Sequence, residues 1–332
     1  MAICNGSRIA VIGYGSWATA LVSVLTGNGN GVSWYIRNPE ILESVKNDGV
    51  NCKYLQNLDL DRNLIRASDD LDGIVSSSDV LIMAMPSAYI RDFLSPLTVS
   101  LKGKFIISAI KGIIPELHLT VSEFFHREYD VPYDSLGVIC GPTHAEEVSQ
   151  RHITYITVAC TDAADSLYIG NLLSSRYLKV SYSSSVYGVE YAAVLKNVYA
   201  IAAGMATGLG FGDNFLAVLV SGCCDEMKMF LDVTNPSGAV CDDRNSFGDL
   251  LVTCYSPFSR NRRLGQLIGK GCTVKSALNE MTMVAEGYFA AEGLHFIKSR
   301  FDVEMPIADT VYNVLYNKVS ARKAMLSLAA VL

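Results

Sequence analysis

The chain has 332 residues, half of them hydrophobic and 18% charged, with a formal net charge of −6. A chain of this length buries a sizeable core and usually forms about two domains. The composition excludes a disordered protein. The acidic balance argues against nucleic acid as a partner, since such proteins show a basic face, but it leaves room for a local basic pocket that takes an anionic small molecule.

Arg8 to Ile12 predicts a short strand, entered with no basic leader and no cleavage site before it. A helix opening at GYGSWATAL follows and runs to Leu25. Gly13-x-Gly15-x-x-Ala18 fits the dinucleotide fingerprint in its required place, between a strand and a helix. Gly13 serves the tight turn, Gly15 lets backbone approach a pyrophosphate, and Ala18 lets the helix pack on the strand. Free N–H groups and the dipole of that helix favour an anion there. Such a match alone arises in many turns; here the flanking elements agree with it. The next strand, Gly31 to Ile36, ends in Arg37, which suits the 2′-phosphate of NADP better than the ribose hydroxyl of NAD. The cofactor is therefore read as NADP or NAD.

Further alternation follows. A helix is predicted over Asn38 to Asp48, a buried strand over Asp79 to Met85, a helix over Ala88 to Leu97 and a strand over Lys104 to Ala109. A helix around Leu117 to Tyr129 leads to strands over Leu136 to Cys140 and Thr154 to Ala159, and YLKVSYSSS closes the series. Strands alternating with helices predict a mostly parallel, doubly wound sheet. Ligands bind such sheets at the carboxyl ends of the strands. Gly13 to Trp17, Lys111 and Gly141 to Ala145 all follow predicted strands. From about Val186 the periodicity is helical, with breaks at Gly208–Asp213, Asn235–Gly238, Tyr255–Asn261 and Phe301–Pro306. The fold class is α/β: a Rossmann-like dinucleotide-binding domain over 1–185, then an all-helical substrate and catalytic domain over 186–332.

The stretch Gly188 to Asp213 carries only Glu190 and Lys196 as charges before Asp213. Lys196 shares a helical stripe with Ala192, Ala200 and Ala203, because residues three and four apart are neighbours. Most helical lysines are exposed. Small neighbours would let another helix enclose this one, and burial lowers a lysine's pKa toward acid/base use. FGDLLVTCYSPFSRNRRLG then sets Asp249 one helical turn before Thr253, and places Ser259, Arg260 and Asn261 together. An arginine fork beside neutral donors suits phosphate oxygens, although a basic run is often only a solvated turn.

GYGSWATAL, SAIKGI, GPTHAEEV, VEYAAVLKNVYAIAAG, GFGDN, FGDLLVTCYSPFSRNRRLG and VAEG together resemble, in order and spacing, the NAD(P)-dependent glycerol-3-phosphate dehydrogenases of the bacterial soluble type. The resemblance runs from about residue 8 to the C-terminus. It implies reversible hydride transfer between NAD(P)H and dihydroxyacetone phosphate, giving sn-glycerol 3-phosphate for phospholipid synthesis. By the same resemblance Ser16, Trp17, Arg37, Lys111, Ala145, Arg260, Val284 and Glu286 match cofactor-contacting positions. Lys111, Gly141, Thr143, Asp249, Ser259, Arg260 and Asn261 match substrate-contacting ones, with Asn197 read beside them. Lys196 matches the catalytic lysine. Asp249 would hold its ammonium and Thr253 would support it, while Arg260 and Asn261 take the phosphate. Three residues depart from those more usual in the family: Ala18, which the fingerprint tolerates, His144, read as a packed spacer between two site residues, and Ser221, outside the matched contacts. A related β-hydroxyacid dehydrogenase would share this plan, and SRNRR separates the two. A nucleotide sensor without chemistry would have no use for Lys196, Asp249 and Arg260 together.

Nine scattered cysteines with no C-x-x-C pair, and five histidines (His118, His126, His144, His152, His295) apart from them, show no metal-ligand spacing. This usage suggests a reducing, cytoplasmic compartment. Asn197 to Phe211 is apolar but too short for a bilayer, so no stable membrane insertion is expected. The apolar Val218 to Phe230 helix leaves a homodimer open.

Overall fold

The computed structural model describes residues 3, 6–235 and 244–332. The chain divides into two compact units, one of residues 1–110 and 121–186 and the other of residues 111–120 and 187–332.

The first unit is built on an eight-stranded sheet of order β3-β2-β1-β4-β5-β6-β7-β8. Its strands are β1 (Ile9–Ile12), β2 (Val32–Tyr35), β3 (Ile65–Ser68), β4 (Val80–Met83), β5 (Phe105–Ser108), β6 (Leu136–Cys140), β7 (Thr154–Cys160) and β8 (Leu178–Ser183). Neighbours pair in parallel except β6 with β7. β1, β4 and β6 are buried along their whole length, as apolar strands covered on both faces must be. The covering helices are α1 (Ser16–Gly27), α2 (Pro39–Asp48), α3 (Leu71–Ser76), α4 (Ile90–Leu94), α5 (Val121–Tyr129), α6 (Ala145–Ser149) and α7 (Ala163–Leu173).

Three local differences from the sequence reading have physical causes. β3 and α3 carry no sequence signal: IRAS is a short edge strand whose Arg66 is exposed, so it lacks an apolar run. The helix expected over Ala88 to Leu97 is only α4, preceded by a 3-10 turn at Ser87–Tyr89. The helix expected from Leu117 starts at Val121. Glu116 and His118 sit at positive φ and an Ile114–Leu119 bridge closes a turn, geometry a helix cannot hold. Residues 111–120 belong with the second unit, where Ile113 packs against Gly293 and His118 stacks on Phe296 with ring centroids 4.3 Å apart.

The second unit is helical: α8 (Val186–Gly208), α9 (Asp213–Thr234), α10 (Arg244–Tyr255), α11 (Arg260–Gly269), α12 (Val274–Glu280), α13 (Glu286–Lys298), α14 (Pro306–Leu315) and α15 (Ala321–Ala329). Helix ends coincide with the breaks read at Gly208–Asp213, Tyr255–Asn261 and Phe301–Pro306; the break at Asn235–Gly238 lies outside the described residues from residue 236 on. α8 runs through the middle of the core, with all residues from Gly188 to Ala206 buried. Among the described residues no helix is long and apolar enough to cross a membrane.

α9 carries a buried carboxylate. Glu226 accepts hydrogen bonds from the free amides of Ile307 (2.7 Å) and Ala308 (3.0 Å) at the start of α14, satisfying donors that a helix leaves unpaired. Burial nevertheless pushes the Glu226 carboxyl up to about 7.

Candidate active site

Two glycine pairs bring α11 down onto α8. A Cβ on Gly265 would lie 2.1 Å from the carbonyl oxygen of Ile201, and one on Gly204 2.1 Å from that of Arg262. One turn further along, Gly269 and Gly208 would each meet a facing carbonyl at 2.4 Å. Only glycine permits backbones this close. The start of α11, Ser259 to Asn261, is thereby fixed beside the middle of α8, where Lys196 and Asn197 lie.

Lys196 is 4% exposed. Its ammonium is bonded to the Oδ1 of Asp249 on α10 and donates to Thr253 Oγ1 at 3.2 Å. Asp249 and Thr253 face it together because they lie four residues apart on one helix. The other carboxylate oxygen, Oδ2, takes the Lys111 ammonium at 3.2 Å. Burial alone raises the Asp249 carboxyl, yet the two lysines on its oxygens outweigh burial and hold it below the usual carboxylate range. The cluster is thus a buried carboxylate between two cations. Lys196 is shut in, while the side chain of Lys111 keeps 17% exposure.

A second chain of bonds runs beside it. Asn197 Nδ2 donates to the carbonyl oxygen of Lys111 at 2.7 Å, and Asn197 Oδ1 accepts from Asn261 Nδ2 at 2.8 Å. Asn261 Oδ1 accepts from the Gly287 amide at 2.9 Å. Gly287 itself leaves no space for a side chain, since a Cβ there would lie 2.4 Å from the Asn197 carbonyl oxygen. Both ends of the Asn261 amide make a bond to protein, and the second hydrogen on Nδ2 is left for the phosphate-facing role expected from the sequence. The two asparagines tie together the segments that carry Lys111, Lys196, Arg260 and Glu286. Ser259 caps α11, accepting from the Arg262 amide at 3.2 Å. Arg260 is exposed and, among the described residues, has no ion-pair partner. Val284 and Glu286 flank the start of α13.

In the first unit, the predicted cofactor residues gather past the carboxyl ends of β1, β2 and β6. Gly13 has φ +121°, and a Cβ there would lie 2.3 Å from the Ala84 carbonyl oxygen. At Gly15 an added Cβ would meet nothing within 4 Å, so the backbone fronts open space. Gly15 is also the N-cap of α1 and supplies no side chain to its first turn. Ser16 and Trp17 begin that turn, and the Trp17 indole nitrogen is buried without a hydrogen-bond partner. An open N-terminus and an orphaned donor fit a bound dinucleotide phosphate. The guanidinium carbon of Arg37 sits over the Phe93 ring, 4.5 Å from its centroid, and its Nη1 pairs with Asp92 Oδ2 at 2.7 Å. Gly141 is held at φ +129°, with Tyr155 O 2.7 Å from where a Cβ would be. Thr143 turns its hydroxyl back to the Gly141 carbonyl at 3.1 Å, and Ala145 opens α6.

Residues 8–166 match the family described as NAD-dependent glycerol-3-phosphate dehydrogenase N-terminus, and residues 185–326 match its C-terminus. The chain belongs to the NAD-dependent glycerol-3-phosphate dehydrogenase family. It is 37% identical to a glycerol-3-phosphate dehydrogenase [NAD(P)+] of Exiguobacterium sp., over 93% of this chain and 91% of that one. The corresponding enzyme of Enterococcus faecalis is 36% identical over 96% and 94%. Among solved structures, glycerol-3-phosphate dehydrogenase from Coxiella burnetii superposes with a TM-score of 0.87 at 26% identity, covering 97% of this chain and 98% of that one. As a member of this family the chain is an NAD(P)-dependent oxidoreductase acting on a CH–OH group.

The dehydrogenase uses residues that its motifs do not flag. Trp34 Nε1 donates to the Gly13 carbonyl at 2.6 Å. Asn51 donates to the Tyr14 carbonyl at 2.9 Å and to Thr19 Oγ1 at 2.8 Å, and Thr19 in turn bonds the Gly15 carbonyl at 3.0 Å. These three side chains brace the glycine turn. Trp34 and Thr19 sit inside a predicted strand and helix, where a polar atom on a buried position was the available signal; Asn51 follows a helix end and offers none.

Proposed function

We propose that the chain catalyses the reversible NAD(P)H-dependent reduction of dihydroxyacetone phosphate to sn-glycerol 3-phosphate, in the cytoplasm and toward glycerophospholipid synthesis, with Lys196 as the proton donor. The observation that carries this reading is the buried Lys196 ammonium fixed between Asp249 and Thr253. A buried cation needs a partner to persist, and this one is held with a proton to give. When bound, the nicotinamide would supply the hydride to the carbonyl carbon. Lys196 Nζ gives its proton to the carbonyl oxygen as negative charge develops there, and takes it back in the reverse direction. Asp249 keeps the ammonium in place, and Lys111 adds a second positive charge at the same carboxylate. The unpaired Arg260 guanidinium at the start of α11 suits the substrate phosphate, beside the hydroxyl of Ser259. The Gly13–Trp17 turn would hold the cofactor pyrophosphate, and Arg37 would meet a 2′-phosphate in competition with Asp92. The cytoplasmic assignment rests on seven described cysteines that are all free.

The test is spectrophotometric. Purified, folded protein should oxidise NADPH or NADH on addition of dihydroxyacetone phosphate, seen as loss of reduced-nicotinamide absorbance. Consumption of neither cofactor by a protein shown to be folded would refute the reading.

A further inference from the structure

Away from Lys196, the second unit contains a cleft of ≈950 Å³ between the α11–α12 turn, the start of α13 and the loop joining α14 to α15. That volume lies within the range of about 300–1,000 Å³ typical of small-molecule sites. Its floor is largely aliphatic: Leu209, Val274, Leu278 and Val319 are half-buried side chains packed on the helical core and left uncovered toward the cleft, beside Tyr288 and Tyr316. Its rim is cationic, formed by Lys270, Lys275, Lys318 and Arg322, with no carboxylate in the lining. All four are exposed, and among the described residues none has an ion-pair or hydrogen-bond partner for its side chain. Lys318 is moreover held at φ +58°, a backbone conformation that an unbranched charged residue seldom adopts. In a protein of net charge −6, four unpaired cations around one apolar concavity form a local reversal of sign.

We infer that this cleft is a binding site for a single-chain aliphatic anion, with a phosphate or carboxylate head on the cationic rim and the chain along the floor. The charge complementarity selects an anion, and the aliphatic floor selects an alkyl body over a sugar. Neither element belongs to the Lys196 cluster. α11 nevertheless joins the two places, since Arg260 begins that helix and Lys270 follows its last residue.

The experiment is calorimetric titration of the full chain with octyl phosphate below its micelle concentration, alongside ethyl phosphate, octanol and AMP. Octyl phosphate should bind with saturation, at least about tenfold tighter than ethyl phosphate, because each methylene removed from water adds to affinity. The double variant K318E/R322E should keep dehydrogenase turnover and melting temperature, and should bind octyl phosphate at least about tenfold more weakly through the lost charge complementarity. Should that variant melt lower, K275A/K318A replaces it with the same expectation, both sites being exposed. Absence of saturation below about 1 mM, a level of affinity too weak for a built site, overturns the inference. So do equal binding by wild type and variant, which places the ligand elsewhere, and equal affinity for ethyl phosphate or AMP, which removes the aliphatic floor from recognition.

Discussion

The two units prepare for their ligands in opposite ways. In the sheet-bearing unit the surface proposed to receive the cofactor is mostly backbone: a glycine turn facing open space, an uncapped helix start, and side chains such as Trp34 and Asn51 spent on bracing carbonyl groups. In the helical unit it is side chains, with two ammonium groups on one buried carboxylate and two asparagine amides linking four segments. A backbone cradle binds a shape and a charge common to all its cofactors, and it tolerates change in most neighbouring residues. A buried ionic cluster tolerates almost none, because removing one partner leaves another charge unpaired at low dielectric.

The sharpest way to break that contrast is Lys196→Ala. Turnover should fall by about 10² or more, the contribution of a general acid, while the protein still binds NADPH as followed by quenching or calorimetry. A variant that keeps more than about a tenth of wild-type kcat would show that Lys196 does not donate the proton.

A smaller effect is expected from Arg37, whose guanidinium is the proposed reader of the 2′-phosphate in the first unit. Arg37→Asp should depress kcat/KM for NADPH by about tenfold, the loss of one charge-assisted contact, and leave NADH little changed. Equal loss with both cofactors would mean that Arg37 supports the local fold through Asp92 and Phe93 and does not read the 2′-phosphate.

The smallest consequence for activity concerns Glu226, a buried charge of the helical unit that lies outside the reaction. Its carboxyl is raised from 4.5 to about 7 in the folded protein. The neutral form is therefore favoured by folding. Its stabilising effect is complete below about pH 4.5 and is lost as pH rises through about 7. Tm should fall by a few degrees across this interval, on the usual scale of about 2–4 °C per kcal/mol for chains of 150–250 residues. Glu226→Gln, which cannot ionise, should flatten the profile; an unchanged slope would assign the pH dependence to other groups.

How much of this was legible in the sequence follows from the same contrast. Gly13, Gly15, Ser16 and Trp17 are contiguous, so their turn could be read directly, and the apolar strands β1 and β4 announced the sheet. The edge strand β3 could not be read, because half-exposed edges lack an apolar run. In the helical unit the resemblance named Lys196 and Asp249, but the residues are 53 apart, and Lys111 is 138 from Asp249. No periodicity spans such distances. The bonds of Asn261 to Asn197 and Gly287 were equally hidden, and they add the joining of three helices to the ligand-facing role expected of it.

The glycine pairs of α8 and α11 have a mechanical meaning. With carbonyl oxygens closing on Gly204, Gly208, Gly265 and Gly269 along its length, α11 is a short rod pinned at several points to the central helix. Such a rod has no hinge of its own: it cannot slide or tilt without driving backbone into backbone. The backbone of Arg260 at one end is thereby tied to α8, which would keep the charge proposed for the substrate phosphate at a set spacing from Lys196 however the side chains on the outer face of α11 come to vary.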